Sequence, residues 1–344
     1  MSHESFMRRC LTLAANGLGL VAPNPLVGAV LALDEKILSE GFHRSFGGPH
    51  AEVNALATYG DKPIPDGATL YVNLEPCSHH GKTPPCADLI IARGIKKVVV
   101  GQKDPNPLVS GRGIEKLKAA GILVESGILE SEALFLNRRF NTFHTKKRPY
   151  IVLKWAESED GFMDRNRDDH TSGVNWISHS ETKKLVHRWR SCEAGILVGR
   201  NTIVNDDPSL TVREVYGKSP QRIAIATSGE IPKKARVCTD GQGIWIYNKK
   251  VNAEDGENRW IRVSGKDFLV GVLRDIYKQN IGSVMVEGGA ATITSFLEAG
   301  LWDEARVIKS PVKLGSGLRA PAINQSPANV YNYGRDRIEE YFPL

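Results

Sequence analysis

Three potential metal ligands, one imidazole and two thiols, constrain this chain most, because a shared ion would bring distant segments together. The imidazole belongs to His50, and the two thiols belong to Cys77 and Cys86. One histidine and two thiolates suit zinc and leave its fourth position open for water, whose pKa the ion lowers towards about 7. Glu52 is then placed to move protons without binding the metal, as in zinc-dependent nucleobase deaminases. The sequence therefore predicts a catalytic zinc site with Glu52 as its acid–base group.

The local patterns around these residues favour the same interpretation. Pro49 suits the first position of a helix, which places His50 and Glu52 in the first helical turn. An apolar, β-rich run ends just before Cys77, and Cys86 stands where another helix is expected to begin. A single cysteine is more often a small buried residue, so the prediction depends on the complete set.

Strand-like runs alternate with helical stretches along the chain, which predicts an α/β fold. In the first half we expect strands at 26–33, 69–74, 97–101 and 122–125, and helices at 49–58, 87–93, 111–120 and 130–141. A basic stretch that ends at Pro149 marks a boundary between two domains, 1–146 and 147–344. Beyond it we expect strands at 150–155, 194–198, 222–226, 243–247 and 283–286, and helices at 180–190, 268–279 and 290–299. Apart from the strand at 243–247, the tract 241–256 is expected to form loops.

Composition limits the partners that this chain can have. The net charge of +6 is modest for 344 residues, so we expect no nucleic acid as a partner. No apolar run approaches the roughly 20 residues that span a bilayer, so we expect no membrane association. Five cysteines are too few for a disulfide framework, and Cys10, Cys192 and Cys238 are expected to be packing residues. A reducing cytoplasm, which thiolate ligands require, is the expected compartment.

The segment around the two cysteines closely resembles the deaminase half of bifunctional riboflavin-biosynthesis enzymes. Residues 75–86 read Glu-Pro-Cys-Ser-His-His-Gly-Lys-Thr-Pro-Pro-Cys, and the runs 23–28 and 41–43 also match that family. Nucleoside and tRNA deaminases have two residues between the cysteines, so the eight found here argue against both. The resemblance implies a cytidine-deaminase-like, three-layer domain in which Asn24 and His79 contact the substrate. Without the resemblance, Asn24 would be interpreted as a turn residue between two prolines. His80 is expected only to support the loop.

The second half has no Gly-x-Gly-x-x-Gly fingerprint of a Rossmann fold. It resembles instead the reductase half of the same family, which has a dihydrofolate-reductase-like fold, at 176–178, 202–213 and 286–289. The resemblance implies cofactor contacts from Trp176, Thr202, Asp206, Gly289, Ala290, Ala291, Thr292, Ile293, Thr294 and Ser295. It implies substrate contacts from Arg190, Leu210, Arg213 and Glu287. A guanidinium binds phosphate bidentately, which suits both arginines, although each would otherwise be read as a surface residue.

Two positions depart from that family pattern. Glu157 stands where relatives usually have a small residue, and Val174 stands where they commonly have a small polar one. Both departures concern the local cofactor and substrate contacts of the second domain.

The resemblance implies two successive reactions and two cofactors, Zn²⁺ and NADPH. The first is hydrolytic deamination of 2,5-diamino-6-ribosylamino-4(3H)-pyrimidinone 5′-phosphate. The second is reduction of the ribosyl side chain by NADPH, which gives 5-amino-6-(5-phosphoribitylamino)uracil. A homodimer through the second domain is also implied. Two alternatives stay open: a deaminase with an inactive reductase half, and a zinc-stabilised nucleic-acid-binding module, against which the 7% aromatic content argues.

Overall fold

The computed structural model describes residues 2–79, 84–107, 110–167 and 173–343. Contacts between residues divide the chain into a first unit, Met1–Lys147, and a second unit, Arg148–Leu344. Each unit has its own sheet and its own hydrophobic clusters. Among the described helices, none has both the length and the apolar character that a membrane span requires.

The first unit is built on a five-stranded sheet with the order β2-β1-β3-β4-β5. Its strands are β1 Gly28–Leu33, β2 Lys36–Phe42, β3 Thr69–Leu74, β4 Lys97–Gln102 and β5 Leu123–Ser126. β1 runs antiparallel to β2 and β3, whereas β3, β4 and β5 are parallel. The parallel strands are apolar almost throughout, as expected of strands that are covered on both faces.

Helices cover both faces of this sheet. They are α1 His3–Ala15, α2 Ala51–Tyr59, α3 Cys86–Ala92, α4 Arg112–Ala119, α5 Glu130–Leu136 and α6 Arg138–Lys146. Side chains alternate along β1, so that Ala29 and Leu31 pack with α2, α3 and α4, while Val30 and Ala32 pack with α1. The expected three-layer arrangement is therefore confirmed.

The second unit contains a ten-stranded sheet with the order β11-β12-β10-β9-β8-β13-β6-β14-β17-β16. Its strands are β6 Tyr150–Glu157, β8 Gly195–Gly199, β9 Gln221–Ile225, β10 Trp245–Asn248, β11 Ala253–Asp255, β12 Asn258–Arg262, β13 Ser283–Val286, β14 Glu304–Lys309, β16 Asn329–Tyr333 and β17 Asp336–Tyr341. The strands from β12 to β14 are parallel, and antiparallel strands extend the sheet at both ends. A separate pair joins β7 Phe162–Asp164 to β15 Leu318–Arg319.

Helices lie on both faces of the larger sheet as well. They are α7 Thr182–Cys192, α8 Arg200–Asp206, α9 Arg236–Thr239, α10 Phe268–Lys278 and α11 Ala290–Glu298. Leu153 and Val284 pack in one cluster with α10 and α11, whereas Val152 and Met285 pack against α7 on the other face. The carboxyl ends of β8, β9 and β13 meet at one edge, which is where parallel α/β sheets bind ligands.

The main departures from the expected elements have local causes. The helix expected at 49–58 begins at Ala51, with His50 as its extended N-cap, because the Pro49 carbonyl accepts hydrogen bonds from His43 and Asn54. The helix expected at 130–141 breaks at Asn137, whose side chain binds the backbone of Leu26. The tract 241–256 contains the short strand Ala253–Asp255, which was expected to be a loop.

Candidate functional site

The three expected metal ligands come together at the ends of three elements of the first unit. His50 caps α2, Cys77 follows β3, and Cys86 is the first residue of α3. His50 Nδ1 lies 3.6 Å from Cys77 Sγ and 3.3 Å from Cys86 Sγ. All three ligand atoms lie within 4.8 Å of one another. Zinc bonds of about 2.0–2.1 Å to nitrogen and 2.3 Å to sulfur fit these separations, so the residues present suit a tetrahedral zinc ion.

A backbone amide prepares the Cys77 sulfur for a cation. The amide of Cys86 donates to Cys77 Sγ at 3.3 Å, and the amide of Ala87 donates to the Cys77 carbonyl. The hydrogen bond with the Cys86 thiol and the contact with His50 lower the pKa of Cys77 to about 4. The pKa of Cys86 is raised by Cys77 and by burial, so the metal-free pair holds one proton. A metal ion would release that proton, because zinc binds thiolates.

Glu52 is buried in the first turn of α2, with only 3% of its surface exposed. Burial, followed by the nearby charge of Cys77, raises the pKa of the Glu52 carboxyl to about 7. A carboxyl group with this pKa, adjacent to the ligand cluster, is suited to accept and return a proton near neutral pH.

Glu75 holds the Cys77 segment in place, and no role was predicted for it. Its buried carboxylate accepts hydrogen bonds of 2.9–3.2 Å from the backbone amides of Asp104, Gly111, Gly113 and Ile114. A Cβ atom on Gly113 would lie 1.9 Å from the Pro76 carbonyl oxygen, so only glycine allows this approach. The N-terminus of α4 is thereby fixed against the segment that carries Cys77. In the sequence, only the acidic residue directly before Pro76 could have indicated this role.

Asn24 lies in a hydrogen-bonded chain that leads to the metal ligands. His43 donates from Nδ1 to the Pro49 carbonyl at 2.9 Å, and Asn24 Nδ2 donates to His43 Nε2 at 3.0 Å. Burial lowers the pKa of His43, which agrees with this neutral form. The rings of His43 and His50 lie 5.6 Å apart. His79 is exposed, and His80 lies outside the described residues.

A cavity of about 540 Å³ opens in the second unit at the carboxyl ends of β8, β9 and β13. Its walls include six of the ten residues expected to contact the cofactor, namely Thr202, Asp206, Gly289, Ala290, Ala291 and Thr292. Gly288 and Gly289 have positive φ angles of 102° and 60°, which bring the backbone of this turn against Thr202. The tight turn expected before α11 therefore forms one wall of the cavity.

Seven expected site residues of the second unit, Arg190 and Arg213 among them, do not line this cavity. Trp176 is 55% exposed, with the Lys183 ammonium 3.8 Å from its ring centroid. Ile293 and Leu210 are buried in hydrophobic clusters, so their side chains are not presented to a ligand. Thr294 and Ser295 lie farther along α11 and are absent from the cavity walls.

Arg190 and Glu287, both expected to hold substrate, bind each other. Arg190 Nε and Nη2 donate to the two oxygens of Glu287 at 2.6 and 2.8 Å, and Lys154 Nζ lies 3.8 Å from Glu287 Oε2. Burial alone would raise the pKa of Glu287, but the charges of Arg190 and Lys154 lower it to about 2. Arg190 also donates to the Thr211 carbonyl, so its guanidinium is largely occupied and primarily positions Glu287.

Replacing Glu287 with glutamine should cost about 3–5 kcal/mol of unfolding free energy, because Arg190 would be left buried and unpaired. The folded pKa near 2 lies below the unfolded value near 4.3, so the stabilising effect is present above about pH 4.3 and is lost as pH falls towards 2. Urea unfolding at pH 7 and at pH 3, monitored by tryptophan fluorescence, measures the difference in unfolding free energy between the wild type and Glu287→Gln. All six tryptophans lie in the second unit. Glu298→Gln, an exposed change on α11, is the control, and a difference that does not shrink at low pH would contradict the ion pair.

Two other expected residues have specific partners. The backbone amide of Arg213 donates to His187 Nδ1 at 3.1 Å, and its exposed guanidinium donates to the Thr211 hydroxyl at 3.4 Å. Burial, with the charges of Arg190 and Arg213, lowers the pKa of His187 to about 4 and keeps it neutral. Asp206 accepts a hydrogen bond of 2.7 Å from Arg167.

The two departures from the family pattern have different surroundings. Glu157 accepts hydrogen bonds from Trp155 Nε1 at 2.9 Å and from Lys309 Nζ at 2.7 Å. It does not line the 540 Å³ cavity, whereas Val174 does. Only the Val174 departure therefore bears on this cavity.

Comparisons with known proteins decide the family. A model described as the cytidine and deoxycytidylate deaminase zinc-binding region matches residues 1–102, and the RibD C-terminal domain matches residues 149–338. The riboflavin biosynthesis protein RibD of Aquifex aeolicus is 43% identical over 323 residues, covering 92% of this chain and 88% of that protein. The chain belongs to the RibD family of riboflavin biosynthesis proteins. RibD of Escherichia coli is 38% identical over 338 residues, covering 93% of this chain and 90% of that one.

Solved structures agree with this family over the whole chain. The diaminohydroxyphosphoribosylaminopyrimidine deaminase/5-amino-6-(5-phosphoribosylamino)uracil reductase of Thermotoga maritima is 39% identical, with a TM-score of 0.87 and 99% of each chain covered. RibD of Acinetobacter baumannii is 32% identical, with the same TM-score and coverage. The expected cytidine-deaminase-like and dihydrofolate-reductase-like folds are confirmed. The chain therefore combines a zinc-binding deaminase unit with a reductase unit that implies a nicotinamide cofactor.

Proposed function

We propose that the first unit removes the 2-amino group of 2,5-diamino-6-ribosylamino-4(3H)-pyrimidinone 5′-phosphate by hydrolysis and releases ammonia. The observation that carries this proposal is the convergence of His50, Cys77 and Cys86 beside the buried carboxyl of Glu52. The name of the Thermotoga maritima neighbour supports the substrate class. The two-thiolate ligand set also supports a reducing compartment, which we propose to be the cytoplasm.

The chain's own residues perform the proton transfers of this reaction. When bound by His50, Cys77 and Cys86, zinc supplies the acidity that activates a water molecule. Glu52 accepts a proton from that water and delivers a proton to the departing amine. The net reaction consumes one water molecule, replaces the amino group of the ring with a carbonyl oxygen, and releases ammonia. Asn24 is held by His43, which leaves Asn24 Oδ1 as an acceptor for an amino group of the pyrimidine. His79 is proposed as a further substrate contact.

We propose that the second unit reduces the ribosyl group of the deaminated product to a ribityl group. NADPH, when bound, supplies a hydride for the first carbon of the open-chain sugar, and one proton completes the reduction. Thr202, Asp206 and the 288–292 turn are proposed to hold the cofactor, since they share the 540 Å³ cavity. Arg213 is the better candidate for the substrate phosphate, because Arg190 is paired with Glu287.

The decisive experiment measures both reactions on one preparation of the full chain. We expect about one zinc per chain, ammonia release without NADPH, and NADPH oxidation only after deamination or with 5-amino-6-(5-phosphoribosylamino)uracil supplied directly. Ammonia release without any NADPH oxidation would favour the alternative of an inactive reductase half. A chain that holds zinc but releases no ammonia would refute the proposed deamination.

We also propose that the chain forms a homodimer through its second unit. Strand β16 lies at an edge of the ten-stranded sheet, and its residues Val330 and Tyr331 are 49% and 37% exposed. Such an edge offers unpaired backbone groups to another strand. Light scattering of the purified chain measures its mass, and a monomer at micromolar concentration would contradict this proposal.

A further inference from the structure

A second cavity of the second unit, with a volume of about 300 Å³, lies outside the site described above. Its floor is one face of the sheet, formed by alternate residues of β6, β14 and β17. The floor residues are Trp155, Glu157, Val307, Lys309 and Tyr341. Gly161 and residues 319–323 complete the walls. None of the described residues lines both this cavity and the 540 Å³ cavity, so the smaller cavity is a separate space.

The strand pair β7 and β15 contributes to the walls of both cavities. Asp164 of β7 and Leu318 of β15 line the larger cavity, whereas Arg319 of β15 lines the smaller one. The amide of Ala320 donates to the Gly161 carbonyl at 3.0 Å, which continues the pairing along the wall of the smaller cavity. A ligand in the smaller cavity therefore leaves the space of the larger one free.

The polar groups on the floor of the smaller cavity already have protein partners. Glu157 accepts one hydrogen bond on each carboxylate oxygen, from Trp155 Nε1 at 2.9 Å and from Lys309 Nζ at 2.7 Å. The Tyr341 hydroxyl donates to Glu339, whose carboxylate also lies 3.8 Å from Lys309 Nζ. Trp155 and Tyr341 therefore offer their apolar ring surfaces to a ligand. Glu157, one of the two departures from the family pattern, balances the charge of Lys309.

Arg319 is the charged residue of this cavity that no carboxylate balances. Its Nη1 donates to the Asp160 carbonyl at 3.1 Å, and its guanidinium carbon lies 4.3 Å from the centroid of the Phe162 ring. These two contacts hold the guanidinium in place. Within the described ranges no carboxylate forms a salt bridge with Arg319, and its Nε and Nη2 have no hydrogen-bond partner. The cavity thus combines an apolar floor with one positioned guanidinium.

We propose that the 300 Å³ cavity binds a small carboxylate whose apolar body is about the size of one aromatic ring. The volume is at the lower end of the range for ligand pockets, which limits the occupant to a compact molecule. Two cations and one carboxylate line the cavity, so the excess positive charge favours an anion. The ligand carboxylate would accept charge-assisted hydrogen bonds from Arg319, and its ring would contact Trp155, Val307 and Ile323. This inference goes beyond the two proposed reactions and depends on neither.

Calorimetry on the full-length chain tests this proposal with benzoate and its neutral analogue benzamide. We expect benzoate to bind with a Kd of about 1 mM or tighter, and benzamide to bind at least about tenfold more weakly, because it lacks the charge that Arg319 pairs with. Arg319→Gln should abolish this preference, and Arg319→Lys should keep part of it. Arg262→Gln, which removes an exposed guanidinium of β12 outside both cavities, is the matched control and should bind benzoate like the wild type.

Two further measurements locate the bound benzoate. Ala322→Leu extends a side chain of the cavity wall and should weaken the binding of benzoate and benzamide alike, by at least about tenfold. Saturating NADPH should change the Kd of benzoate by less than about twofold, because the two cavities are separate. Competition between benzoate and NADPH would place benzoate in the larger cavity and overturn the proposal. No saturable binding of benzoate by the wild type, or the same benzoate affinity in Arg319→Gln, would overturn it as well.

Discussion

Glu52→Gln should lower the rate of ammonia release by about 10²- to 10⁴-fold while zinc stays bound, because general acid–base catalysis contributes this much. Glutamine has nearly the same size and fills the same buried position, but it cannot carry a proton between water and the departing amine. Glu52 is not among the three ligand residues, so the metal content should stay near one ion per chain. A coupled ammonia assay and metal analysis of the same sample measure both quantities.

Two comparisons make this expectation specific. Glu115→Gln, an exposed change in the first turn of α4, should leave ammonia release within about twofold of the wild type. NADPH oxidation with 5-amino-6-(5-phosphoribosylamino)uracil should be unchanged in Glu52→Gln, because that step belongs to the second unit. A variant that still releases ammonia at more than a tenth of the wild-type rate would exclude Glu52 as the proton carrier. Loss of both activities would show that the two sites are not separable.

Regular elements and the zinc ligands could be predicted because their signals are local or depend on residue type. Ser283–Val286 is a strand with the expected bounds, and its four residues are fully or nearly fully buried. Cys86 begins a helix as expected, and the ligand cluster contains the three residues that the sequence indicated. Cysteine, histidine and glutamate carry their chemistry in the side chain, so their spacing alone suggests a metal site.

Contacts that depend on backbone groups or distant pairs could not be predicted in this way. Glu75 binds four amides that lie 29–39 residues farther along the chain, and backbone amides leave no trace in residue type. Arg190 and Glu287 are 97 residues apart, so their pairing follows only from the order of β8, β13 and β6. For this reason Arg190 was expected to bind phosphate, whereas its guanidinium is occupied by Glu287.

Cys86→Ser should remove zinc from the first unit and abolish deamination. A serine hydroxyl stays protonated at neutral pH and is a much poorer zinc ligand than a thiolate, which would leave only His50 and Cys77. Structural zinc sites in small domains bind with apparent free energies of about 10–16 kcal/mol, so losing one of three protein ligands should lower the affinity by orders of magnitude. We expect less than about 0.1 zinc per chain after dialysis against a chelator that leaves the wild type loaded.

The second unit supplies an internal control for this variant. Its six tryptophans report only on Arg148–Leu344, so their urea transition should be the same in the wild type and in Cys86→Ser. NADPH oxidation should also persist, which would show that the loss of zinc is local. Cys238→Ser changes a free cysteine outside the ligand cluster and should keep both zinc and deamination. If Cys86→Ser retained one zinc per chain, another side chain, such as the exposed His79, would have to complete the site. The assignment of His50, Cys77 and Cys86 as the ligand set would then be wrong.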